Sequence, residues 1–232
     1  MMKICTTLAQ LVTAGMLMAL AGFAAAQQAY PNKPIRMIIP YPPGGASDPL
    51  ARLVGPKLTE SWGQQLIVEN RPGGNTIIGT EAVAKSPPDG YTIVMVNSSH
   101  VTAPYLLASI PYDAISDFAP VATLTSTELI LVLHPSVPAN NLQEFIALAK
   151  SKPGGLNYTS VGSGSPTHLG IELFSMMAGI KMQQIPYKGA GPATTDLIAG
   201  QVQLTFMSPG LAIPHIKSGR LKAIAISGEK RS

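Results

Sequence analysis

Ser163 and His168 are the residues whose types and spacing most invite chemistry in this chain. They lie in Gly162-Ser163-Gly164-Ser165-Pro166-Thr167-His168, a hydroxyl and an imidazole within one glycine-opened turn. A nucleophile elbow needs Gly-x-Ser-x-Gly, and that spacing is absent. The pair still leaves open a secreted hydrolase or isomerase on an α/β scaffold. Gly162-x-Gly164 has no third glycine where a dinucleotide fingerprint requires it, and Pro42-Pro43-Gly44-Gly45 is not followed by the Lys-Ser/Thr of a phosphate loop. The four histidines (His100, His134, His168, His215) contain no pair at metal-ligand spacing, so neither metal nor cofactor is expected.

The same turns suit an anion better than a reaction. Ile35 to Pro40 is an apolar, β-branched run that predicts a buried strand, and Tyr41 to Ser47 predicts a tight turn. Asp48-Pro49 then predicts a helix start, with Asp48 as N-cap and Pro49 at the first helical position. Free N–H groups and the positive end of the helix dipole would face an anion across Gly44 and Gly45, which leave the approach clear. Ser165-Pro166 repeats the pattern, and Gly191-Pro192 and Ser208-Pro209 also place proline early in a helix. One such corner alone reads as an ordinary strand–turn–helix connection; the recurrence favours a ligand. No arginine lies in these corners. A carboxylate would therefore be held by backbone N–H groups and hydroxyls, each charge-assisted bond contributing about 1.5–3 kcal/mol. His168 reads equally as ligand contact and as packing or capping residue, and Tyr187 and Lys188 could line the same cleft.

Strands are predicted at Leu66–Asn70 and Tyr91–Val96, the latter delivering Asn97-Ser98-Ser99-His100 at its carboxyl end. Helices are predicted from Pro49 to Trp62, with Leu50, Leu53, Val54 and Leu58 inward, and from an Asn75 cap to Ala84. Two β-rich runs, Pro120–Thr125 and Leu129–His134, break the alternation and mark a crossing between lobes near Ser126-Thr127-Glu128. Alternation then resumes: a helix over 142–150 capped by Asn141, a strand over 156–160, and a helix to Ala178 with Leu169, Leu173, Phe174 and Met177 inward. Further strands follow at 182–186, 202–207 and 221–226, with helices between them. Strand–helix alternation of this kind predicts mostly parallel sheets flanked by helices. The expected organisation is a first lobe over 27–126, a second over 127–220, and a return strand toward the first lobe in 221–232.

Residues 1–26 read as a cleaved secretory signal, with Lys3, an apolar stretch from Leu8 to Phe23, and Ala24-Ala25-Ala26. Its removal takes away Cys5, the single cysteine, which excludes disulfide and thiol chemistry from the mature chain. Net charge is +4 with the basic residues scattered, so no nucleic-acid stripe is present. With 46% hydrophobic and 12% charged residues, the chain supports a sizeable core.

These motifs together resemble the Bug receptors, the periplasmic substrate-binding proteins of tripartite tricarboxylate transporters. The residues concerned are Tyr30-Pro31-x-Lys33-Pro34-Ile35, Pro42-Pro43-Gly44-Gly45-x-x-Asp48, Asn70-Arg71-Pro72-Gly73-Gly74, Pro87-x-Asp89-Gly90-Tyr91-Thr92, Gly162-Ser163-Gly164-Ser165-x-x-His168-Leu169 and Pro186-Tyr187-Lys188-Gly189. The resemblance implies a two-lobed, type II periplasmic-binding-protein (Venus flytrap) fold that is not an enzyme. It implies a monomer that closes on a small organic acid and delivers it to two integral-membrane subunits. It implies ligand contacts from Tyr41, Pro42, Gly44, Gly45, Asp48 and Ser98 on the first lobe, and from Gly162, Ser163, Ser165, His168, Tyr187 and Ser208 on the second. Members of the family run on past the position of Ser232, so the first lobe is expected to be incomplete here.

Overall fold

A computed structural model describes residues 30–228. The signal segment expected over 1–26 lies outside the described residues. Among the described residues, eight strands form two sheets. The first has three strands, β1 (Ile35–Ile39), β2 (Leu66–Asn70) and β3 (Thr92–Val94), all parallel, with β1 in the middle. Ile35, Met37, Ile38 and Ile39 are all buried, as expected of a parallel strand covered on both faces. The second sheet has five strands in the order β6-β5-β7-β4-β8. These are β4 (Ile130–Leu133), β5 (Asn157–Ser160), β6 (Gln183–Pro186), β7 (Leu204–Met207) and β8 (Lys222–Ile226). β5 pairs in parallel with β6 and β7, whereas β4 is antiparallel to both β7 and β8.

The period-two geometry of β4 divides the second core in two. Leu131 and Leu133 join Phe145, Tyr158, Ile171 and Phe206 on one face; Val132 joins Leu197, Met207 and Leu221 on the other. Among the described residues, seven α-helices flank the sheets: α1 (Ser47–Trp62), α2 (Ile77–Ala84), α3 (Ser99–Leu106), α4 (Leu142–Ser151), α5 (Pro166–Ala178), α6 (Ala190–Ile198) and α7 (Pro209–Lys217). Asn141 caps α4 as read, accepting from the Glu144 N–H at 2.9 Å.

Several expectations are corrected. In α1, Leu50 and Leu58 pack on the first core as expected, but Leu53 is exposed and the buried positions are Asp48, Ala51 and Gly55; Gly55 lets the helix settle close over Leu66 and Val68. In α5, Phe174 packs inward as expected, the buried positions are Ile171 and Ser175, and Leu173 and Met177 face out. Asn75 does not cap α2 but lies in a left-handed turn, Gly74–Thr76, ahead of it. Helix α3 was not foreseen. Pro120–Thr125 forms no strand and runs exposed. The stretch expected to return toward the first lobe forms β8 in the second sheet. There Leu133 pairs with Lys222, and Lys222 Nζ donates to the carbonyls of Val137 and Ala139 at 2.7 and 2.8 Å.

Candidate functional site

The parallel strands of both sheets end at corners, and three contacts bring those corners together. Asn75, after β2, donates from Nδ2 to the Ser163 carbonyl, after β5, at 2.9 Å. Thr102 Oγ1, on α3, lies 3.4 Å from the Gly164 carbonyl. A β-carbon built on Gly189, after β6, would stand 3.3 Å from Pro42 Cγ, after β1. The carboxyl ends of the two sets of strands therefore face each other, the place where open α/β sheets take ligands. Ser208, after β7, lies on the same edge because β7 adjoins β5.

Some of the expected residues hold the corners rather than offering free groups. Tyr41 is half-buried; its hydroxyl pairs with Ser99 Oγ and accepts the Asn97 N–H, both at 3.0 Å. Burial pushes that phenol up, against the opposing pull of these hydrogen bonds. Asp48 was expected to cap α1, but the helix begins two residues earlier, at Ser47, with Ala46 at the cap position. The Asp48 carboxylate instead accepts from the Gly44 N–H at 3.4 Å and pairs with Arg52 at 3.1 Å, bending the turn back on its own helix. Pro49 consequently falls inside the first turn of α1 rather than at its first position. Ser165 is a true N-cap: it accepts the His168 N–H at 3.3 Å and donates to the Gly162 carbonyl at 2.7 Å. Tyr187 gives its hydroxyl to Asp196 at 2.6 Å, and that carboxylate pushes the phenol up to about 12.

Other expected residues keep free hydrogen-bonding groups. The side-chain hydroxyls of Ser98, Ser163 and Ser208 make no hydrogen bond among the described residues, and neither Ser98 nor Ser208 caps the helix it precedes. His168 Nδ1 accepts the Gly164 N–H at 3.1 Å, which leaves the proton of the neutral ring on Nε2. Its ring lies 6.5 Å from that of Tyr158 at 24°, so one side packs while the other nitrogen stays available. Ser163 and His168 share no hydrogen bond. The nucleophile–base pair that a hydrolase would need is therefore not formed. Pro42, Gly44, Gly45 and Gly162 supply backbone and space. Two depressions, of about 280 and 240 Å³, lie elsewhere, beside Lys150 and Lys181 and between Leu131 and Met177.

Asn75, Thr102 and Leu106 were missed. Asn75 directly follows the Gly73-Gly74 pair, a signal read as helix capping, and its reach across to Ser163 exists only once both sheets are built.

Asp48 carries a pH prediction. Burial alone would raise its pKa, but Arg52, Asn70 and the Gly44 N–H outweigh it and hold it below the ordinary 3.8. A depressed carboxyl stabilises the fold above its unfolded pKa and loses that contribution as pH falls through the folded one. Asp48→Asn is expected to cost about 1–2 kcal/mol near neutrality, discounted for the exposed Arg52. The gap between wild type and variant should close below about pH 4. Denaturant melts at pH 7 and pH 3 check this; a gap of equal size at both would refute it.

Two facing α/β units with ligand-ready strand ends define the class of two-lobed periplasmic binding proteins. The family profile described as "Tripartite tricarboxylate transporter family receptor" matches residues 50–232. The chain is 41% identical over 226 residues to protein BugT of Bordetella pertussis, covering 96% of this chain and 69% of BugT. A Pseudomonas protein encoded between tcbD and tcbE is 34% identical, covering 88% of this chain and 60% of its own length. Among solved structures, the adipate-bound Rpa4515 of R. palustris superimposes with TM-score 0.83 at 32% identity, and malate-bound MatC of Rhodopseudomonas palustris with TM-score 0.80 at 28%. They cover 87% of this chain each, and this chain covers 68% and 69% of theirs. The chain thus spans roughly two thirds of its relatives' length. It belongs to the tripartite tricarboxylate transporter receptor family, whose members are solute-binding receptors and not enzymes.

Proposed function

We propose that this chain binds a small organic carboxylate between the facing strand ends and, as a secreted periplasmic monomer, delivers it to two integral-membrane subunits of a tripartite tricarboxylate-type transporter. In this reading 27–126 and 127–220 are the two lobes. The observation that carries it is the set of unpaired donors on apposed corners: the hydroxyls of Ser98, Ser163 and Ser208 and the His168 Nε2. Hydroxyls and a neutral imidazole can orient a carboxylate without a salt bridge, and the relatives solved with adipate and malate support that ligand class.

Titration calorimetry with malate, adipate and their neutral diamides tests it. The acids should bind and the diamides should not. Ser163→Ala and Ser208→Ala should each weaken binding roughly tenfold, the equivalent of one charge-assisted bond. Silence across the acids would end the proposal. Heat is a better readout than fluorescence here. Trp62, the single tryptophan, ends α1 beside the start of β2, at the opposite end of the sheet from the corners.

A further inference from the structure

We infer that Asn75 is an interlobe latch, a positioning residue that biases the two units toward the closed arrangement before any ligand arrives. This rests on the two-lobed receptor reading but names a residue outside its ligand set. Residues 73–76 all take positive φ, at 128°, 55°, 54° and 80°. The first two are glycines, for which this is easy. Asn75 tolerates left-handed backbone moderately, and Thr76, being β-branched, tolerates it poorly. Such backbone persists only where the surroundings hold it, and its product here is definite. The turn lifts the Asn75 amide out of the first unit and onto the second, where Nδ2 meets the Ser163 carbonyl at 2.9 Å and Oδ1 faces Gly162.

The other polar crossing is weaker. Thr102 Oγ1 reaches the Gly164 carbonyl at 3.4 Å but also lies 3.3 and 3.4 Å from the carbonyls of Ser98 and Ser99, so its single proton is shared. Asn75 directs a donor at the second unit with good length. It grips a backbone carbonyl and leaves the Ser163 hydroxyl unbonded, so the latch and a ligand do not compete for the same group.

Paired spin labels measure the latch without a ligand. Exposed Lys57 on α1 and Lys181 before β6 are changed to cysteine in a Cys5→Ser background. Asn75→Asp keeps a residue suited to left-handed backbone but removes the donor; Asn75→Gly removes the side chain and relaxes the turn. Both should shift the closed-to-open ratio toward open by about fivefold, the equivalent of one ordinary hydrogen bond, with an unchanged melting temperature for Gly. Both should raise the dissociation rate of malate or adipate by a similar factor and leave association nearly unchanged. Wild-type distance distributions in both variants would overturn the latch. A distance shift with no response to either acid would keep the latch and remove the carboxylate reading.

Discussion

Replacing Gly164 by valine is expected to weaken malate or adipate binding at least tenfold and to destabilise the fold by about 2–3 kcal/mol. Gly164 takes φ +80°, a backbone that a β-branched residue adopts only under strain of about 1–3 kcal/mol. Its β-carbon would also lie 2.6 Å from Leu106 Cδ1. That atom is the tip of a flexible side chain and can swing away, so strain is the larger effect. The consequence is local and functional. The Gly164 N–H orients His168, and its carbonyl meets Thr102 across the cleft, so any relaxation of φ turns both groups away. Calorimetry and denaturant melts on Gly164→Ala and Gly164→Val check the assignment. Valine should lose more than alanine if strain dominates, because β-branching adds to the cost of a positive φ. Nearly equal losses would instead point to the clash with Leu106, which the β-carbon common to both makes, and unchanged binding in both would remove Gly164 from the site.

Gly79→Ala is expected to cost about 2 kcal/mol net, although alanine is the better helix former. Propensity favours the change by about 1 kcal/mol. Against it, the new β-carbon would stand 2.6 Å from the Arg71 carbonyl and 2.9 Å from Pro40 Cα. Both are backbone and neither can rotate away, so overpacking falls at the upper end of its usual range, about 3 kcal/mol. Helix α2 would have to lift from the ends of β1 and β2, carrying with it the turns that hold Pro42 and Asn75. A fall in melting temperature of about 4–8 °C is expected for a chain of this size. A rise would show that α2 has room to shift.

Local rules in the amino-acid sequence determined most of the elements. The run Ile35–Ile39 could only be a buried strand, Ser165-Pro166 carried a cap and a first-turn proline together, and Asn141 announced α4 three residues before Glu144. The corner motifs also placed Ser98, Ser163 and Ser208 at strand ends, because strand and helix signals lie within a few residues of one another along the chain. Tertiary structure decided how those groups are used. Asp48 is the exception: it turned from helix cap to partner of Arg52 through contacts only four residues away on either side, where local pairing won over capping. Leu50, Leu58 and Phe174 pack inward as read, while Leu53, Leu173 and Met177 turned out because the angle at which a helix settles on its sheet decides which edge of an apolar stripe is covered. β8 joined β4 because pairing needs a free edge, which no single strand can reveal. Asn75 acquired its partner 88 residues away for the same reason. Hydrophobic period and capping are encoded among near neighbours, whereas a hydrogen bond between units depends on where the two sheets come to rest.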